Sequence, residues 1–450
     1  MESEISSQES GHTADHPVGT VSVSALEGLL GGLTPAVAAA IDRALAGEDM
    51  SIDDTVSLLE CTGADMQALL LAADYLRREQ AGDLVTYVVN RNINFTNVCI
   101  KHCGFCAFSR DHQTEEGYLL PVEEIVRRAK EAWDLGATEV CIQAGLPPKM
   151  DGDLYLRLCE AIKAELPDIH IHGFSPEEVL YGSIRSRCSI PEFLRRLRDS
   201  GVGSLPGTSA EILVQEVRDK IAPGRITVDQ WIEVITSAHE LGIPTTSTIM
   251  YGHVETVEHQ ARHLLLLRDV QRRTGGITEF VPLSFVHSEA PMYLKGLVEG
   301  IRPSVSGPEL MKMYAVARLV FGRDIQNIQV SWVKEGPRLA QLLLTAGAND
   351  MGGTLINESI STAAGASHGQ LVRPAQFRQL ARDMGRVPAE RTTTYGVTRV
   401  FRDPAQDPVD PLDVVEYDDK RFGTYKVLVQ LEDWRFKDSF ESVGEKSKKG

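Results

Sequence analysis

Apolar residues recur at helical spacing in the first part of the chain: Leu26, Leu29 and Leu30, then Leu69, Leu70 and Tyr75. The spacing predicts three or four helices over residues 21–83. Beyond them, short β-rich runs alternate with amphipathic helical runs. The strand candidates are 93–96, 139–143, 169–174, 202–205, 244–250, 279–285, 327–332 and 348–351. Helical patterns fill the gaps at 122–135, 154–166, 228–241, 257–270, 308–321 and 336–344. Strands separated by helices in this way predict an α/β fold, a (β/α)8 barrel of the TIM type over residues 84–370. Residues 1–20 read as a disordered tail. Residues 371–450 read as a helix and an extension, with a Pro/Asp linker at 403–411, an added strand at 426–431 and a frayed end.

The strands carry a second pattern. Alternate residues share a face, so His170 and His172 lie opposite Ile169 and Ile171. Asn327, Gln329 and Ser331 lie opposite Ile328, Val330 and Trp332. In the stretch 245–248 both faces carry hydroxyls. A lumen filled only for packing would present Val, Ile and Leu, so these faces predict a hydrated cavity for a polar ligand. Its mouth lies at the strands' C-terminal ends.

Charge narrows the partners. Lys plus Arg number 46 against 63 Asp plus Glu, a net charge of −17. That acidity disfavours nucleic acid and anionic membranes as partners, and leaves high-salt adaptation open. No run approaches the ~18 apolar residues of a membrane span. With no signal-like segment at the start, the expected address is cytoplasmic. The seven cysteines form no disulfide framework: three fall within eight positions and four are scattered. Cys61, Cys141, Cys159 and Cys188 read as ordinary buried residues.

The clustered three, Cys99, Cys103 and Cys106, are spaced C-x3-C-x2-C after the first barrel strand. Thiolates hold iron–sulfur clusters, and a closed 4Fe–4S cluster takes four; three leave one iron open. A zinc site is the alternative, with His102 or His112 as fourth ligand.

C-x3-C-x-aromatic-C, with Phe105 before the third cysteine, resembles the radical S-adenosylmethionine (SAM) superfamily. The segment from Gln143 through Ala144 and Gly145 to Pro148 resembles its Gly-rich SAM-binding turn, although Ala144 stands where the family usually has Gly. Later strand-end segments at 170–178, 203–211, 246–253, 280–285 and 347–353 resemble the branch holding the menaquinone enzymes aminofutalosine synthase and dehypoxanthinyl futalosine cyclase, and the deazaflavin enzymes. Within it, residues 92–97 and 103–110 are most similar to the CofH family.

The resemblance implies a 4Fe–4S cluster on Cys99, Cys103 and Cys106, with SAM chelating the open iron. It implies SAM contacts from Phe105, Gln143, Ala144, Gly145, Ser175, Gly207 and Thr208; Ser175 also reads as the N-cap of a helix opening at Pro176. It implies that L-tyrosine is cleaved and its 4-hydroxybenzyl group passed to 5-amino-6-(D-ribitylamino)uracil, on the way to deazaflavin (Fo) and coenzyme F-420. A low-potential electron donor and a separate CofG-type radical SAM protein, which closes the ring, are the implied partners. The proton acceptor is sought among His172, His253, His287 and Glu279, with His172 and His253 foremost. A lid formed by the cluster loop and the segment around Tyr395 is expected to exclude water. The competing readings are the two menaquinone enzymes and, from another class, a non-catalytic iron–sulfur or zinc-stapled binding barrel.

Overall fold

The first barrel strand is interrupted at Val89 into β1 (Leu84–Val88) and β2 (Asn90–Ile93), in a computed structural model that describes residues 32–416 and 418–437. The predicted tail at 1–20, the pattern at 26–30 and the end at 446–450 lie outside the described residues. Next come β3 (Glu139–Ile142), β4 (His170–Gly173), β5 (Val202–Ser204), β6 (Thr245–Tyr251), β7 (Ile277–Ser284) and β8 (Asp350–Gly353). Parallel pairing runs β2–β3–β4–β5, then β6–β7, then β1–β8. Bridges Leu205–Thr245, Phe280–Ile328, Gln329–Asp350 and Arg91–Ile356 complete the ring. The result is the predicted (β/α)8 barrel.

One expected strand is largely missing. The stretch 327–332 bridges its neighbours at Ile328 and Gln329, flanked by single backbone bonds from Phe280 N–H to Asn327 O and from Val330 N–H to Asp350 O, each 2.9 Å. Ser331 then accepts the Lys334 N–H at 3.1 Å, and the chain coils into a helical turn, Trp332–Glu335.

The predicted outer helices are present, among them Val122–Asp134, Val257–Thr274 and Gly307–Phe321. Strong caps start several of them. Ser306 accepts from the Glu309 N–H, and Glu309 returns a carboxylate to the Ser306 N–H. The three described N-terminal helices, Pro35–Leu45, Ile52–Glu60 and Gly63–Ala81, pack on the last two of these outer helices. Lys312 and Arg318 tie that layer down through the Cys61 carbonyl and Gln80.

The C-terminal part departs from expectation. β9 (Val387–Arg391) adds in parallel to β1, and β10 (Val397–Val400) returns antiparallel along β9. Their connecting turn passes beneath the barrel: the Tyr395 hydroxyl donates to Glu279, and Arg391 pairs with Asp350 at the start of β8. The expected lid around Tyr395 is therefore a floor. The expected strand at 426–431 is instead the helical turn Tyr425–Leu428, capped by Thr424 and burying Tyr425 and Leu428. The Pro/Asp linker is clamped, because Arg378 holds Asp407, Asp410 and Asp413 at 3.1, 2.5 and 3.1 Å.

Candidate active site

The loop after β2 carries the three cysteines, and its ends are fixed by backbone pairing. Cys99 N–H donates to the Arg110 carbonyl at 3.1 Å and Arg110 N–H to the Asn97 carbonyl at 2.8 Å. The turn after β3 seals it from the other side, with Ile100 N–H to Leu146 O at 2.8 Å and Gly145 N–H to Thr96 O at 2.9 Å. The C-terminal segment braces the loop from outside. Tyr425 packs against Phe108, its hydroxyl accepts from Asn97 at 3.3 Å, and Leu119 N–H donates to Trp434 O.

All three thiols are free and line one cavity of about 410 Å³ that runs down the lumen. Burial pushes Cys103 up to about 12, with Arg225 working against it. Metal binding here must therefore displace protons. Among the described residues, no group of three or more Cys, His, Asp and Glu is gathered as a single-ion site. Neither His102 nor His112 completes a zinc tetrad.

The β3–β5 side of the cavity is built from backbone and hydroxyls. Gln143, Ala144, Gly145, Ser175 and Thr208 all line it, and Phe105 does so from the cluster loop. Thr208 Oγ1 donates to Gln143 Oε1 at 3.1 Å. The Ala144 N–H donates to Glu178 at 3.0 Å. Ser175 caps its helix and donates to Glu178 at 2.6 Å, so its hydroxyl is already engaged. Burial pushes Glu178 up to about 7, against the bonds from Ser175 and Ala144. Gly207 is a correction. Its N–H and carbonyl are taken by Thr246 and Thr248, and a Cβ there would stand 1.9 Å from the Thr246 carbonyl oxygen. It lies behind the wall and does not line the cavity.

The two histidines part company. His172 lines the cavity, and its Nδ1 shares the Ser204 hydroxyl, at 2.7 Å, with His170. Burial pushes His172 down to about 4, so it is neutral at pH 7. His253 is a second correction. It is fully buried away from the cavity, with Nε2 on the Met250 carbonyl at 3.0 Å and Nδ1 accepting the Val254 N–H at 2.8 Å. Both ring nitrogens are spent on backbone, which leaves a structural role. Of the other two proton-acceptor candidates, His287 does not line the cavity, whereas Glu279 does. Glu279 takes the Tyr395 hydroxyl and lies 3.5 Å from Arg391; burial pushes it up to about 7.

Glu211, at the end of the segment 203–211, and Arg225 and Lys334 also line the cavity, and sequence reasoning singles out none of the three. Arg225 pairs with Glu211 at 2.8 Å and lies over the Phe105 ring at 5.3 Å. No local motif marks these residues, which converge from loops far apart in sequence. Glu178 alone had a signal, the Ser-x-x-Glu cap.

The donor set fits a cluster and SAM on three observations. Three free thiols share one wall. The Gly145 backbone approaches the cluster loop so closely that a Cβ would stand 2.2 Å from the Val98 carbonyl oxygen. The Oδ1 of Asn92, which lines the cavity, is buried without a partner.

Comparison with known proteins agrees. A family model described as the radical SAM superfamily matches residues 93–267, and one described as the CofH/MqnC C-terminal region matches 274–403. The 5-amino-6-(D-ribitylamino)uracil–L-tyrosine 4-hydroxyphenyl transferase of Methanothermobacter thermautotrophicus is 49% identical over 348 residues, covering 77% of this chain and 94% of its own. The protein of the same name from Methanocaldococcus jannaschii is 48% identical, covering 72% of this chain and 90% of its own. Among solved structures, methylornithine synthase (PylB) superposes with a TM-score of 0.59 at 21% identity, covering 78% of this chain and 97% of its own. The hydrogenase maturase HydG superposes with a TM-score of 0.62 at 16% identity, covering 82% and 79%. These two share the fold.

Proposed function

The chain belongs to the radical SAM superfamily and, within it, to the 4-hydroxyphenyl transferase family, and from that premise we propose how its residues serve the reaction. The enzyme cleaves the side chain of L-tyrosine and transfers the 4-hydroxybenzyl group to 5-amino-6-(D-ribitylamino)uracil, releasing 2-iminoacetate, 5′-deoxyadenosine and methionine. The observation that carries this reading is the cavity that joins the three thiols to a lumen carrying His172, Thr246, Glu279 and Gln329. When bound, the 4Fe–4S cluster and SAM supply a 5′-deoxyadenosyl radical through one-electron reductive cleavage.

Cys99, Cys103 and Cys106 would hold the cluster. Gln143, Ala144, Gly145, Thr208 and Phe105 would form the SAM side, where the Gly145 backbone permits close approach. Ser175 acts one step back, as the cap that orients Glu178 and through it the Ala144 N–H. His172 is neutral at working pH, and the Ser204 hydroxyl fixes its ring orientation. Together with Glu279 it can accept a proton from substrate. The floor made by Tyr395 and Arg391 closes the lumen from below and excludes water on that side. A low-potential reductant supplies the electron, and a separate CofG-type protein closes the deazaflavin ring.

The test is an anaerobic assay of the reconstituted protein with SAM, dithionite, L-tyrosine and the ribitylaminouracil. Mass spectrometry should detect 5′-deoxyadenosine and the hydroxybenzyl adduct, and both should vanish in Cys103→Ala. Deoxyadenosine without the adduct would reject these substrates and send the search to futalosine precursors.

A further inference from the structure

Four basic side chains line the cavity: Lys101, Arg225, Lys334 and Arg391. Three are neutralised locally. Lys101 lies 3.3 Å from Glu177, Arg225 pairs with Glu211 at 2.8 Å, and Arg391 pairs with Asp350 at 2.5 Å. The fourth differs. The Lys334 ammonium, partly buried in the turn Trp332–Glu335, has no hydrogen bond or ion pair with any described residue.

The carboxylates in its neighbourhood are committed elsewhere. Glu358 spends its two oxygens on the Ser361 N–H, at 2.9 and 3.1 Å, and Glu335 takes the Ser284 hydroxyl at 2.5 Å. Both still act on Lys334 through space, but burial dominates and lowers its pKa. An ammonium taken from water without a partner is costly. Such a cost is met when a ligand supplies the anion.

Position indicates which ligand. Lys334 follows the bridge residues Ile328 and Gln329, on the arc between β7 and β8. The SAM side is built by β3, β4 and β5, across the lumen. Around Lys334 the wall carries the apolar Val333, Leu355 and Ile360, with Phe285 beyond β7, beside the polar Ser331, Glu358 and Ser361. An unpaired cation beside an apolar surface suits an aromatic acid. The ribitylaminouracil carries no carboxylate, whereas L-tyrosine does.

We propose that Lys334 binds the α-carboxylate of L-tyrosine and so places its side chain along this wall. The inference rests on the transferase reading above. The test is equilibrium binding, by calorimetry, to the reconstituted protein with SAM and no reductant. The ligands are L-tyrosine, 3-(4-hydroxyphenyl)propionate, which keeps the carboxylate, and tyramine, which lacks it. In Lys334→Met, affinity for the two acids should fall about thirtyfold, the scale of a lost charged hydrogen bond. Tyramine should change less than about threefold by the same reasoning. Lys334→Gln should repeat the pattern if the Met variant folds poorly, and Lys334→Arg should restore much of the acid binding. Cluster content and SAM binding should not change.

Unaltered tyrosine affinity in both uncharged variants, or an equal loss for tyramine, would overturn the proposal while leaving the transferase reading intact. If the wild-type protein forms no adduct and binds no tyrosine, the transferase reading fails first and the assignment falls with it.

Discussion

The α-carbon of Gly145 lies so close to Val98 that a methyl group on it would stand 2.2 Å from the Val98 carbonyl oxygen and 2.8 Å from its carbonyl carbon. The glycine of the β3 turn and the residue before the first cluster cysteine are thus packed backbone to backbone. The Gly145 N–H, bonded to Thr96 O at 2.9 Å, locks the contact. The cysteine loop and the turn after β3 form one unit.

Gly145→Ala should therefore force the two loops apart. Backbone cannot yield as a flexible side chain does, so a loss of about 2 kcal/mol or more in stability is expected. Because the shift falls between the two proposed cofactor subsites, SAM affinity should drop more than global stability implies. Calorimetric SAM binding beside denaturant unfolding measures both. An alanine variant with unaltered SAM binding would show that the contact does not set the subsite.

The barrel floor depends on Arg391. It pairs with Asp350 at 2.5 Å, lies 3.5 Å from Glu279 and stacks on Tyr395 at 4.0 Å. Arg391→Met strands a buried carboxylate, and breaking one side of such a pair costs about 3–5 kcal/mol. The double variant Arg391→Met with Asp350→Asn should recover a large share of that loss. Urea unfolding of the wild type, the two single variants and the double variant forms the cycle; equal stability of Arg391→Met and the double variant would contradict the pairing argument.

Acid should destabilise the fold through its buried neutral histidines. Burial pushes His239 down to about 4 and His263 to about 3. Each folded-state value lies below the ordinary 6.5, so the stabilisation is present above pH 6.5. It is lost as pH falls toward the folded value, at roughly 1.4 kcal/mol per pH unit for each ring. His263 is bound on both nitrogens, accepting Leu213 N–H at 2.9 Å and donating to Thr248 O at 3.0 Å. The variants His239→Gln and His263→Gln should each flatten the stability curve between pH 6.5 and 4. An unaltered slope in both would place the acid sensitivity elsewhere.

The C-terminal segment should govern how long iron is kept. Tyr425→Phe removes the hydroxyl that accepts from Asn97 at 3.3 Å and reaches Phe108 O at 3.4 Å, a loss of about 1 kcal/mol. Tyr425→Ala also removes the ring from Phe108, for about 3 kcal/mol. Iron release to a chelator should quicken in that order. Equal release rates in the three proteins would mean that the segment does not brace the loop.

Local pattern was enough for the barrel, and the reading of its mouth came from short contiguous motifs together with the family they resemble. Strand and helix periods are set by residues within a few positions, so six outer helices and six of the eight strand positions, β3 to β8, were legible within a few residues. C-x3-C-x2-C and Gln143 to Gly145 are likewise contiguous, because one loop and one turn carry them. Failures came where a distant partner decides. Ile328 and Gln329 had a strand pattern, yet a turn at Ser331 cut the strand short. The stretch around Val427 alternated like a strand, yet Thr424 caps it and its buried residues recur at helical spacing. His253 resembled His172, both being histidines near strand ends; only packing shows one ring spent on backbone and the other facing the lumen. The sequence by itself determined the barrel, the three thiols and the acidic balance, since these follow from periodicity, spacing and composition. Tertiary structure alone decided that Tyr395 lies under the barrel, that Tyr425 braces the cysteine loop and that Lys334 faces the cavity without a partner among the described residues. Burial and charge neutralisation depend on residues hundreds of positions apart, and no local pattern encodes them.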